Sequence, residues 1–138
     1  MSFEIKTKNS FSVSVQIVSK TRSPVEYYLG QRQMELKFTF KGWPRPRVVW
    51  YNPNNEQIIN GSEGFYISEQ LDREDTLTSL LRFANIQEKQ AGNYTCTGMN
   101  NITGKPSEKS GIIDLNHLCE SFNFLFLILH TDAQNYLL

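Results

Sequence analysis

Cysteine, histidine and long apolar runs are scarce in this chain, and each shortage closes off a class of function. Two cysteines, Cys96 and Cys119, are too few for a disulfide scaffold in 138 residues. The histidines, His117 and His130, both fall outside the stretch that reads as a folded domain, which makes them poor metal ligands. Cys96 has no histidine near it in sequence and is expected to be buried, which argues against a nucleophile. There is no Gly-rich phosphate loop, and the mixed-charge run "EQLDRED" (69–75) reads as a solvated loop or strand edge. No stretch approaches the roughly 20 apolar residues that span a bilayer. The opening "MSFEIKTKNSFSVSVQIVSK" has no apolar run long enough for a signal-peptide core. Charge of one sign is also missing: 14 basic and 14 acidic residues cancel, so a broad attraction to nucleic acid or an acidic membrane has no support. The expectation is a protein without catalytic residues, metal or cofactor, with no nucleic acid and no small-molecule substrate as partner.

What the chain does have is aromatic residues, nine Phe and six Tyr, in short alternating runs. Phe11, Val13, Val15 and Ile17 fall on one face of a period-two segment, which predicts a strand within residues 1–23. Pro24 and Gly30 mark a boundary after it. "MELKFTF" (34–40) alternates with Leu36, Phe38 and Phe40 on one side. "KGWPRPRVVWY" makes a stiff corner, because each proline fixes its own φ and restricts the residue before it; "RVVWY" then reads as a strand. "NPNNE" and "NGSEG" are turns. "FYISEQ" and "TLTSLLRFANI" follow as strands, with Leu81, Phe83 and Ile86 inward. "YTCTGMN" is another strand, "NITGKPSEKSG" (101–111) a loop, and "IIDL" the last strand. Seven or eight short strands with frequent turns predict an all-β sandwich of two antiparallel sheets.

Two segments sharpen this. "GWPRPRVVW" (42–50) resembles the Gly-x-Pro-x-Pro-x-Val-x-Trp segment between strands B and C of I-set immunoglobulin domains. "SLLRFANIQEKQAGNYTC" (79–96) is similar to their E-to-F segment. The resemblance covers residues 24–115. It implies that Trp50 is the core tryptophan of strand C, Tyr94 the tyrosine of the E–F corner, and Cys96 the cysteine of strand F. Tyr94 is then expected to bond to backbone near Glu88 or Lys89.

The chain departs from the family at two places. Gln90 stands where an Asp is usual, so a charge-assisted contact near the E–F turn should be lost. The strand-B cysteine normally sits four residues before the Gly of the Pro-x-Pro segment, and here that position is Phe38. Phe38 is expected to pack against Trp50 and to replace the bridge by ring burial. Cys119 lies beyond the last expected strand and is a poor substitute partner for Cys96. The missing bridge is compatible with a reducing compartment, as for intracellular I-set modules of muscle filament proteins. It is also compatible with a drifted outer domain, as in membrane-proximal ectodomains of growth-factor receptor kinases.

Three sequons bear on that choice: Asn60-Gly-Ser, Asn93-Tyr-Thr and Asn101-Ile-Thr. Three is close to chance for a chain with this much Asn, Ser and Thr. Placement carries the reading, since Asn60 and Asn101 fall in expected loops. At the proline corner, Trp43, Arg45 and Arg47 are candidates for partner contact, because Trp and Arg are enriched at binding hot spots and Trp43 lies outside the core pattern. The final stretch 116–138, "LCESFNFLFLILH" included, is apolar without clear periodicity and has no assigned role. The sequence therefore reads as a protein-contact module, partner unidentified, of a cell-surface adhesion or receptor-type protein. The alternative is an intracellular, cytoplasmic filament module.

Overall fold

A computed structural model describes residues 11–118. Eight strands and one 3-10 turn (Glu88–Gln90) follow in order: β1 Val13–Lys20, β2 Val25–Tyr27, β3 Met34–Trp43, β4 Arg47–Tyr51, β5 Phe65–Arg73, β6 Thr76–Phe83, β7 Gly92–Ile102 and β8 Lys105–His117. They form two four-stranded sheets, β1-β3-β6-β5 and β2-β8-β7-β4. The pairings are antiparallel except β2 with β8, which is parallel. The alternation in β3 drives the packing: Met34, Leu36, Phe38 and Phe40 are buried while Glu35, Lys37 and Lys41 face water. Tyr94, Cys96, Ile113 and Leu115 meet them from the other sheet, and Trp50 closes the middle.

Three segments differ from the sequence reading. The strand expected within 1–23 is β1, a full member of the sandwich: it pairs with β3, and Val15 is fully buried in the common core. Phe11, grouped with that inward face, is 66% exposed, because pairing with β3 starts only at Val13. β2 is too short to show periodicity, yet its parallel pairing sets Val25 against Leu115 and Tyr27 against His117. The loop expected over 101–111 is a hairpin. Its turn uses Thr103 and Gly104 alone, with φ of 48° and 79°, and residues 105–111 belong to β8. Both turn residues adopt the left-handed region that two-residue hairpins require. Asn101 consequently sits on a strand end and not in a loop. Of the tail read as 116–138, Asn116 and His117 instead end β8, so His117 belongs to the folded domain against Tyr27; Cys119 and the rest of the tail lie outside the described residues.

Candidate functional site

The position where a bridge would stand is filled by stacked rings. Phe38 is fully buried. Its ring meets Trp50 edge-on at 5.5 Å and lies nearly parallel to Phe40 at 5.7 Å. Room for the two phenylalanines comes from glycines on the opposite sheet. A Cβ on Gly111 would lie 2.8 Å from Cζ of Phe38, and one on Gly98 would lie 2.8 Å from Cε1 of Phe40. No side chain other than hydrogen fits at either place. Trp50 is held from the other sheet: its Nε1 donates to Ser79 Oγ at 2.9 Å. This link joins β4 to β6 across the core, and Ser79 looked like one more polar residue of an alternating strand.

Cys96 is a free thiol with no exposure. Burial pushes its pKa well up, with a smaller push from the Glu69 carboxylate. Its thiolate is therefore suppressed, and it is inert as a nucleophile. Leu81 is fully buried, and Phe83 packs edge-on against Tyr94 at 5.4 Å. The Tyr94 hydroxyl donates to Gln90 O at 2.7 Å, one or two residues further along than expected. A second tyrosine anchors the same turn. Tyr27, fully buried, donates to Gln87 O at 2.8 Å. Gln90 is not idle where an Asp is usual, because its Oε1 accepts from Gln87 N at 2.8 Å and closes a capping box.

The surface candidates split into two groups. Trp43 is half-buried and lines a groove of about 640 Å³ with Phe11, Arg73, Glu74 and Asp75. Arg45 is exposed beside the same β5–β6 turn, with Nε 3.5 Å from Glu74 O. Arg47 points elsewhere, over the outer face of β7, its Nη2 3.4 Å from Met99 Sδ. Asn100, unremarked in the sequence, organises this corner. Its Nδ2 donates to Val13 O at 3.0 Å and Pro44 O at 2.9 Å, tying β1 to the proline segment. Asn60, Asn93 and Asn101 are all exposed. Asn60 Oδ1 accepts from Ile67 N at 2.8 Å, while Asn93 and Asn101 stand at opposite ends of one face of β7.

The immunoglobulin I-set domain model matches residues 15–112. The chain belongs to the immunoglobulin I-set family. In family terms β3 is strand B, β4 strand C and β7 strand F, and Phe38, Trp50 and Cys96 of this I-set domain lie on them in that order. The match starts inside β1, in accord with that strand's place in the sandwich. Solved structures share the fold. The N-terminal eight immunoglobulin domains of Down Syndrome Cell Adhesion Molecule superpose with TM-score 0.67 at 15% identity, over 77% of this chain and 14% of that one. A chimeric titin Z1Z2 tandem gives 0.59 at 23% identity, over 77% and 48%. Rst D1-D2 gives 0.56 at 16% identity, over 78% and 49%. The chain thus spans less than half the length of each of these. No curated protein matches it in sequence.

Proposed function

We propose that this I-set domain is a non-catalytic protein-contact module of a cell-surface adhesion or receptor-type protein. The observation that carries the reading is the exposure of all three sequon asparagines, Asn60, Asn93 and Asn101. A glycan needs surface, and each site offers it. Contact through protein surface also suits what the outside of the domain presents: Trp43 and Arg45 at a shallow groove, Arg47 on an open sheet face, and no net charge to draw nucleic acid. The partner class is another protein.

One observation favours the second reading, an intracellular filament module. Cys96 is unbridged and Phe38 stands in place of its partner, so the fold needs no oxidising compartment. Peptide mass mapping of the protein from its native source, before and after glycosidase treatment, separates the two. Sugar at Asn60 and Asn101 is the expected result. Sugar-free protein overturns the cell-surface reading in favour of the filament module.

A further inference from the structure

The three sequons divide the surface of the domain. Asn93 and Asn101 face out from the sheet β2-β8-β7-β4, so sugar on them covers that side. Asn60 sits beside the start of β5, where its Oδ1 accepts from Ile67 N at 2.8 Å. Ile67 stands in register with Leu81, and Leu81 with Leu36. The hollow lined by Arg32, Tyr66 and Arg82 belongs to this same end, because Tyr66 adjoins Ile67. Trp43 lies much further along β3 than Leu36, roughly 23 Å at the rise of a strand. It alternates with Glu35, Lys37 and Lys41, so it faces out from the other sheet, β1-β3-β6-β5. The groove at Trp43 is therefore remote from Asn60 and turned away from Asn93 and Asn101.

Its lining combines apolar surface with uncommitted positive charge. Phe11 is largely exposed and flanks the half-buried Trp43. Asp75 is already engaged: its carboxylate lies 3.9 Å from Lys41 Nζ and accepts from the Thr76 hydroxyl at 3.0 Å. Arg45 and Arg73 are exposed, and among the described residues neither is in an ion pair. Of the acids that line the groove only Glu74 is left to oppose them, and Arg45 meets its backbone carbonyl, not its carboxylate. Two guanidinium groups against one carboxylate leave the rim positive, beside two aromatic rings. Guanidinium forks bind carboxylates through two-point contacts, and aromatic rings offer a large apolar contact area. The groove's volume of about 640 Å³ falls within the range of roughly 300–1,000 Å³ usual for binding pockets.

We propose that this groove docks an acidic, apolar segment of a partner protein. A large apolar side chain of that segment rests on Trp43 and Phe11, and a neighbouring Asp or Glu meets Arg45 and Arg73. The proposal rests on the contact-module reading and names the chemistry of the partner. Arg47 takes no part, because it points over the outer face of the opposite sheet.

A random peptide library displayed on phage, panned against the immobilised full chain, tests it. Enriched peptides should pair Asp or Glu with Phe, Leu or Trp. A synthetic copy of the most enriched peptide, titrated by calorimetry, should bind roughly tenfold or more weakly to Trp43→Ala and to the double variant Arg45→Glu, Arg73→Glu. Its affinity for Arg47→Glu should be unchanged. Rising salt should weaken binding to the wild type. In the NMR spectrum of the wild type the Trp43 indole N–H should shift on titration, while that of Trp50, buried and bonded to Ser79, should stay in place. Circular-dichroism melts of the arginine variants should match the wild type, since both side chains are exposed. A library without enrichment, enriched peptides that are basic or carry no acid, affinity indifferent to the arginine changes, or an unmoved Trp43 signal overturns the proposal. Such a failure sinks this groove alone; the contact-module reading at the cell surface falls by the separate finding of sugar-free native protein.

Discussion

Replacing Phe38 by alanine strikes the core where the bridge is missing. The ring is fully buried between Trp50, edge-on at 5.5 Å, and Phe40, nearly parallel at 5.7 Å. Its far side rests on Gly111, where an added Cβ would come within 2.8 Å of Cζ. Truncation leaves a void with stiff walls. One wall is backbone in the middle of the β7–β8 ladder, and another is Trp50, tethered to Ser79 at 2.9 Å. A site that cannot collapse sits at the upper end of large-to-small costs, so Phe38→Ala should lose ~3–5 kcal/mol. Urea denaturation followed by tryptophan fluorescence reads this directly, with an unchanged m-value showing that both variants unfold from a compact state. A loss under ~1 kcal/mol would refute the argument. Gly111→Ala is the sharper companion. In the wild type its methyl overlaps the ring and should cost ~1–3 kcal/mol by overpacking. In the Phe38→Ala background the same methyl enters the void, so the double variant should be more stable than the sum of the singles by at least ~1 kcal/mol. Strict additivity would show that Phe38 and Gly111 do not share that space.

Three further outcomes are expected. Ser79→Ala leaves the buried Trp50 Nε1 without its acceptor and should cost ~1–3 kcal/mol in the same denaturation assay; a neutral result would mean the tether between sheets is dispensable. Tyr94→Phe and Tyr27→Phe each remove one hydroxyl bond to the 87–90 turn and should each cost ~0.5–1.5 kcal/mol, whereas unchanged thermal melts would show that the turn holds itself. Burial raises the pKa of Cys96 above the ordinary 9.0 and that of Tyr94 above the ordinary 10.0, so the folded chain keeps protons that the unfolded chain releases. Stability should be full below about pH 9 and fall as pH rises past it, by at most about 1.4 kcal/mol per pH unit per group, with Cys96→Ala delaying the onset. A urea midpoint flat from pH 8 to 11 would contradict the burial of both groups.

The sequence by itself determined the sandwich and the centre of its core. Period-two alternation survives folding because each strand has one wet and one dry face, so Leu36, Phe38, Leu81 and Phe83 were legible as inward residues. The Pro-x-Pro corner was legible because proline fixes its own φ, and the Tyr94–Cys96 segment because it is a contiguous stretch that resembles the family's E-to-F segment. What the sequence could not determine was decided by contacts between residues far apart in the chain. β2 has three residues and no pattern, and it exists because β8 pairs with it. The 101–111 stretch looks like a loop by composition, yet β7 runs on to Ile102 and β8 begins at Lys105, since only Thr103 and Gly104 need to turn. Gly98 reads as an ordinary strand glycine and Gly111 as the end of a loop until the rings of Phe40 and Phe38 fill the space above them. Strand register alone brings Arg47, Met99 and Glu108 side by side across 61 positions of chain. Local periodicity is written in one dimension; register and the packing of one sheet on another are settled only when distant strands meet.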